Sequence, residues 1–154
     1  MLSGPGLHNI YSFLFKTRRG EEPVGGASFH QQDSGALITE AALEGTSALC
    51  VVALRIFVDV YGAEAANLVL KVKATGGIYL GGGIAQRIID HLKGAAFMKA
   101  VVAKGRMGPL LEAVPIRVVM NDRTGLYGAA RIAQFGVKSD QPSLRSCGAG
   151  PRSG

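Results

Sequence analysis

The sequence has few of the residues from which metal sites and disulfide frameworks are built. It contains two cysteines and three histidines among 154 residues, and none of them stands at the spacing of a zinc site or a His-Glu-x-x-His motif. Cys50 lies in an apolar stretch and Cys147 in a polar one, so no disulfide framework is indicated and a reducing compartment is expected. We therefore expect no metal site, and no catalysis by histidine or cysteine.

Long apolar runs are also missing. The best candidate for a membrane helix, residues 48–60, is interrupted by Arg55 and Asp59, whereas a membrane span needs about 18 or more apolar residues. Residues 1–6 have neither the basic start nor the apolar centre of a signal peptide. These features predict a protein that does not contact a membrane, and its expected location is the cytoplasm.

The chain lacks a concentrated basic surface. Its net charge is +6, but part of that excess lies in residues 137–154, and the tight basic runs are limited to residues 16–19 and 71–73. Proteins that bind nucleic acids concentrate Lys and Arg together with aromatic side chains. We expect no nucleic-acid partner and interpret the basic runs as solvated helix ends.

Glycine, by contrast, is abundant, with 22 residues, about twice its usual share. Gly81, Gly82 and Gly83 stand between a predicted strand and a predicted helix, where the backbone can approach phosphate or ribose oxygens closely. Neither standard nucleotide motif is present, because Gln86 occupies a position where a Rossmann fingerprint needs glycine and no P-loop occurs. Two interpretations stay open: contact with a nucleotide, or close packing of the helix on the strand.

The hydrophobic pattern predicts a helix-rich α/β fold with two short strands and about six helices. Ser3 caps the first helix and Pro5 lies in its first turn, while Gly62 is predicted to break the core helix. We predict a loop over residues 20–35 and a disordered tail over residues 137–154. The predicted helices cover residues 3–16, 39–61, 63–73, 84–92, short pieces within 94–114, and 126–135, and the predicted strands cover residues 78–80 and 116–120.

Two other motifs have both a functional and a structural interpretation. The segment Ser3-Gly4-Pro5-Gly6 presents helix N–H groups that suit an anion, but serine and proline at a helix start are mostly capping residues. Asp122 follows the second predicted strand, a usual position for an active-site carboxylate in an α/β sheet. Asn121-Asp122 is also ordinary turn chemistry, so the structural interpretation is favoured in both cases.

Three segments in this order resemble one family. They are Leu2-Ser3-Gly4-Pro5-Gly6-Leu7, the run from Gly76 to Ile84 (GGIYLGGGI), and Asp122 to Gly128 before the last helix. Over residues 2–135 the sequence is similar to the C-terminal part of bacterial-type glucokinase. The resemblance divides the chain into residues 1–136, the C-terminal portion of the glucokinase large domain, and residues 137–154, which match nothing in the family.

The resemblance implies ATP-dependent phosphorylation of glucose on its 6-hydroxyl, a reaction of glycolysis, with Mg²⁺ on the phosphates. It implies part of a sugar-kinase domain of the actin-like ATPase, or ribonuclease-H-like, fold. Gly82 and Gly83 match the glycine pair on the adenosine side of the nucleotide, and Ser3 to Gly6 match the segment closing the sugar-side core. The chain departs from the family pattern at Gln86 and Thr124, where proline is common.

In such a family the catalytic aspartate, the glucose ligands and the phosphate loops precede the Ser3 motif, so no catalytic residue is expected here. Our leading hypothesis is a portion of a glucokinase that does not phosphorylate glucose by itself. Two alternatives are a stand-alone nucleotide-binding or regulatory module that pairs with a separate N-terminal half, and a remnant whose basic tail binds polyanions. Two short strands leave open sheet edges, so marginal stability or self-association, including a homodimer, is also expected.

Overall fold

The computed structural model describes residues 2–17 and 34–135. The predicted tail and most of the predicted loop at residues 20–35 lie outside the described residues, as does the predicted boundary at residue 136. The chain forms two compact units, Met1–Asp122 and Arg123–Gly154.

The first unit contains seven helices and two strands within its described residues. They are α1 (Gly4–Thr17), α2 (Ser34–Leu43), α3 (Ala48–Val72), β1 (Ile78–Leu80), α4 (Gly83–Arg87), α5 (Ile89–Leu92), α6 (Ala95–Val102), α7 (Gly108–Glu112) and β2 (Ile116–Val118), with one turn of 3₁₀ helix at Gly105–Met107. The predicted helix at residues 84–92 is divided at Ile88, whose φ of −100° and ψ of 22° are not helical. The helix-rich α/β prediction is confirmed, although six helices was too few.

The core is built around α3, which packs against α1, α2 and α6. Its buried side chains include Leu54 and Phe57, each about 1% exposed, and Phe57 lies 6.0 Å from the Tyr61 ring. Ile56 stands at helical spacing with Leu49, Val52, Ala53 and Val60, which predicts that it lies on one buried face, but it is 36% exposed. The apolar surface of α3 extends around most of the helix, so periodicity alone did not locate the buried face.

Gly62 does not break the core helix, contrary to the prediction. Helix α3 runs without interruption through Gly62 for 25 residues. A Cβ atom at this position would lie 2.9 Å from the carbonyl oxygen of Phe97 and 3.0 Å from the Cβ of Ala100. Gly62 is therefore the point where α6 approaches the backbone of α3. The glycine is explained by this close packing and not by a break in the helix.

The start of the second helix also differs from the prediction. Helix α2 begins at Ser34, before Thr39, and ends at Leu43, so Ser34 and Gly35 of the predicted loop are helical. The hydroxyl of Thr39 donates to the carbonyl of Gly35 at 2.7 Å inside α2. A separate cap, Ser47, begins α3 and accepts a hydrogen bond from the N–H of Cys50 at 3.3 Å.

Strands β1 and β2 form a two-stranded parallel sheet, in which Ile78 pairs with Ile116 and Leu80 with Val118. The N–H of Ile78 donates to Pro115 and the N–H of Val119 donates to Leu80, at 3.0 and 2.8 Å. Both predicted strands are confirmed, although β2 ends at Val118 rather than Met120. Helices α4 to α7 form the crossover that a parallel pair requires.

The described part of the second unit is helix α8 (Thr124–Phe135), close to the predicted range. Its large apolar side chains are exposed, including Leu126 and Phe135 at 71% and 67%. The guanidinium of Arg131 lies 5.8 Å from the centre of the Phe135 ring. Helix α8 therefore has an apolar surface that its own residues do not bury.

Among the described residues, no single helix has both the length and the hydropathy to cross a membrane. The consecutive helices α2 and α3 meet that test only when taken together, and they are bent by 104° at their junction.

Candidate functional site

The three glycines after β1 form the turn that leads into α4. Gly82 has a φ of 104° and a ψ of 158° and stands just before α4, whose first residue is Gly83. A residue with a Cβ atom would be strained at this positive φ. The backbone of the turn therefore requires glycine at position 82 whatever the turn contacts.

Close packing does not account for this glycine run. A Cβ atom added at Gly81, Gly82 or Gly83 would have no neighbour within 4 Å among residues 2–17 and 34–135. At Gly35, by contrast, a Cβ atom would lie 2.7 Å from the Cα of Gly4. The described residues therefore do not support the packing interpretation that the sequence left open for this loop.

Two cavities border the loop. One of about 130 Å³ is lined by Gly81, Gly82 and Gly83 together with Phe57 and Tyr61. Burial raises the pKa of the Tyr61 hydroxyl, so this side chain is neutral at physiological pH. Leu2, Ile84 and Ala85 complete the lining, so the small cavity has no charged side chain in its wall.

The second cavity, of about 340 Å³, brings the Ser3 segment and the glycine loop to one place. Its lining includes Gly4 at the start of α1, Gly35 in α2, and Gly83 and Arg87 in α4. These residues are far apart in the sequence and meet because α2 begins directly against Gly4. Two of the sequence-predicted motifs therefore share one cavity, through Gly4 and Gly83.

The capping interpretation of the Ser3 motif is confirmed. The side-chain oxygen of Ser3 accepts a hydrogen bond from the N–H of Gly6 at 3.2 Å, and α1 begins at Gly4. The cap fixes the direction in which α1 starts and therefore holds Gly4 at the edge of the cavity.

The sequence pattern did not reveal what Gln86 and Arg87 contact. The side-chain amide of Gln86 donates to the carbonyl of Val119 at 3.1 Å and joins α4 to the residue after β2. Arg87 is exposed at the cavity. Arg87 follows Gly83 by four residues, so the two lie on the same face of α4. This spacing is the sequence feature from which the position of Arg87 near the loop could have been predicted.

Asp122 lies at the end of the first unit. Its side chain is exposed, and it lines neither cavity at the loop. Among the residues that the structure describes, no group of three or more His, Cys, Asp or Glu side chains is placed to hold a metal ion.

The glucokinase family model matches residues 1–135. The chain belongs to the glucokinase family. It is 38% identical to a glucokinase of Nostoc sp. (strain PCC 7120) over 145 residues, a match that covers 86% of this chain and 42% of the relative. It is 41% identical to a glucokinase of Helicobacter pylori (strain P12) over 128 residues, which are 83% of this chain and 38% of that protein.

A solved structure gives the same answer for the fold. A crystal structure of glucokinase from an Antarctic psychrotroph superposes with a TM-score of 0.69 and 30% sequence identity, covering 83% of this chain and 37% of that chain. The resemblance to part of a glucokinase is confirmed. The chain spans about two fifths of the length of the curated glucokinases that it matches.

Proposed function

We propose that this chain forms the nucleotide side of a glucokinase that transfers a phosphoryl group from ATP to the 6-hydroxyl of glucose. The observation that carries the proposal is the glycine loop, whose backbone at Gly82 and Gly83 is open to a cavity rather than packed. Membership of the glucokinase family supplies the reaction class. The proposal includes a cytoplasmic location, where free thiols such as that of Cys50 persist.

The geometry of the loop supports contact with the adenosine part of ATP at Gly82 and Gly83. A base or a ribose can lie directly against the backbone where no side chain intervenes. A large side chain at position 83 would fill this space.

Mg²⁺ supplies charge neutralisation on the phosphates in phosphoryl transfer. The described residues contain no cluster of acidic or histidine ligands suited to a metal. We assign the ion to the phosphates of bound ATP.

No residue is assigned as the base that accepts the proton of the glucose hydroxyl. The proposal therefore expects the 154-residue chain to lack glucokinase activity when it is assayed alone. A coupled assay that measures glucose 6-phosphate formation checks this, with a glucokinase of full family length as the positive control. Turnover comparable with that control would contradict the expectation.

Nucleotide binding itself is tested by titration calorimetry of the 154-residue chain with MgATP. Gly83→Arg is expected to abolish the heat of binding because the new side chain fills the loop space. Gly76→Arg is the matched control, since Gly76 precedes β1, is exposed and also has open space around it. Absence of binding by the unmodified chain, or equal binding by both variants, would overturn the proposal.

A further inference from the structure

The outer edge of β2, on the side away from β1, has backbone groups without a partner strand. The carbonyl of Pro115 and the N–H of Val119 both bond to β1, at 3.0 and 2.8 Å. Successive residues of a strand direct their backbone groups to opposite edges, so the N–H and carbonyl groups of Ile116 and Val118 point away from β1. Among the described residues the sheet has two strands, and its β2 edge is therefore open to a third.

A cavity of about 630 Å³ lies beside this strand, on the face that carries the Ile116 and Val118 side chains. Its apolar wall continues from these two residues to Leu80, Leu92 and Met98. Leu80 is 8% exposed, whereas Ile116 and Val118 are half-buried, so β1 is covered more completely than β2. A cavity of several hundred cubic ångströms with mainly apolar walls is typical of a binding site. It can receive apolar side chains from a strand added beside β2.

The other face of β2 carries a positive charge. Arg117 pairs with Tyr79 in the sheet, and its guanidinium lies 5.8 Å from the centre of the Tyr79 ring. Lys93 is a second cation at the cavity, and no acidic side chain of the described residues lines it. A second copy of β2, paired antiparallel about its middle residue, would place two arginines directly opposite each other, which is unfavourable. The edge therefore favours an acidic partner strand over a second copy of itself.

We propose that the outer edge of β2 binds an extended segment of a partner protein by strand addition, and that this segment has one acidic residue between two apolar residues. The acidic side chain lies on the Arg117 face and the apolar side chains enter the cavity, because neighbouring side chains of a strand point to opposite faces. Main-chain hydrogen bonds to Ile116 and Val118 supply affinity, and the side chains supply specificity. The inference uses no residue of the glycine loop and is independent of nucleotide binding.

The partner's pattern is tested with fluorescein-labelled peptides blocked at both ends, whose anisotropy is followed as the 154-residue chain is added. The peptide TVEVT is expected to bind. TVKVT is expected to bind about fivefold or more weakly, because its lysine stands opposite Arg117. TEVVT has the composition of TVEVT without its alternation and is expected to bind weakly as well. Failure of TVEVT to bind, or equal binding of all three peptides, would overturn the proposal.

The orientation of the peptide is tested with Arg117→Glu, which is expected to reverse the preference so that TVKVT binds more tightly than TVEVT. Loss of folding would weaken both peptides and could not reverse their order. Arg106→Glu is the matched control, since Arg106 is exposed and lies outside the lining of the cavity. An Arg117→Glu variant that still prefers TVEVT would show that the acidic residue does not face Arg117 and would overturn the proposal.

The main-chain contact is tested with Val118→Pro. This change removes an N–H that points away from β1, a position where an edge strand tolerates proline, and it is expected to abolish binding of TVEVT. Circular dichroism checks that the helices are retained. If sedimentation instead shows a dimer of the unmodified chain that Val118→Pro dissociates, the edge is occupied by a second copy and the proposal is wrong.

Discussion

The side-chain amide of Gln86 donates to the carbonyl oxygen of Val119, a residue 33 positions further along the chain, at 3.1 Å. This bond joins the helix after the glycine loop to the residue that follows β2. Ala85 in α4 and Ile88 directly after it are 1% and 0% exposed, so buried contacts and one hydrogen bond together hold α4. The contacts of α4 therefore hold the glycine loop in place on one side, and the loop borders a cavity on the other.

Gln86→Ala is expected to lower the free energy of unfolding by about 1 kcal/mol, because one partly buried hydrogen bond is lost and the Val119 carbonyl loses its partner. Urea denaturation followed by circular dichroism measures the change. Gln134→Ala in α8, an exposed position, is the control. An unchanged urea midpoint for Gln86→Ala would show that the bond does not stabilise the fold.

Gly62→Ala is expected to destabilise the first unit by about 1–3 kcal/mol, because the added methyl group would overlap the Phe97 carbonyl and the Ala100 methyl. This loss exceeds the gain of about 1 kcal/mol in helix propensity. Gly128→Ala in α8 has open space and is expected to raise helicity instead. Thermal melts of both variants decide the point, and a higher melting temperature for Gly62→Ala would contradict close packing of α6 on α3.

Cys50 predicts a decline of stability at alkaline pH. Burial raises the pKa of its thiol above the usual 9.0, so the folded state disfavours the thiolate. Below the pKa that the thiol has in the unfolded state, the thiol is protonated in both states and the stability does not change. The free energy of unfolding falls as the pH rises from that pKa to the higher pKa of the folded state. Urea unfolding at pH 8, 9 and 10 tests this, because Cys50→Ala should remove part of the decline above about pH 9.

The same burial predicts slow chemical modification of the thiol. In a Cys147→Ser background, Cys50 is expected to react with a thiol reagent at neutral pH only when urea unfolds the chain. Its 0% exposure and its protonated state both oppose attack, since the thiolate is the nucleophile. Rapid labelling without urea would contradict the buried position of Cys50.

The outer edge of β1 predicts self-association. The backbone groups of Ile78 and Leu80 point toward β2, so those of Tyr79 point to the opposite edge, which has no strand partner among the described residues. Sedimentation velocity over a range of concentrations is expected to show oligomers. Tyr79→Lys is expected to weaken them by about tenfold, because it adds charge at the edge beside Arg117. A strictly monomeric unmodified chain would contradict this prediction.

Much of the local structure was predictable from residues close together in the chain. The cap at Ser3, the strand Ile78–Leu80 and the last helix agree with the sequence patterns, because capping chemistry and hydrophobic period are properties of short segments. The failures at Gly62 and at the start of α2 have one cause. In both places a glycine permits two backbones to approach closely, and a glycine that serves packing has the same local sequence signature as one that ends a helix.

The candidate site was predictable in part. Gly82 and Gly83 stand where a glycine loop between strand and helix was expected, and their proposed role in nucleotide binding remains a prediction. The position of Arg87 at the cavity with Gly35 was not predicted, because nothing in the spacing of these residues brings α2 and α4 together.

By itself the sequence determined the family and the order of the local elements, since short motifs in a specific order identify both. Only the tertiary structure decided that Gly4, Gly35 and Gly83 border one cavity, and that no side chain of the described residues packs against the glycine loop where a Cβ atom would stand. The physical reason is that a cavity is defined by surfaces that do not touch. Which surfaces those are depends on how helices far apart in the chain pack together, not on any single segment.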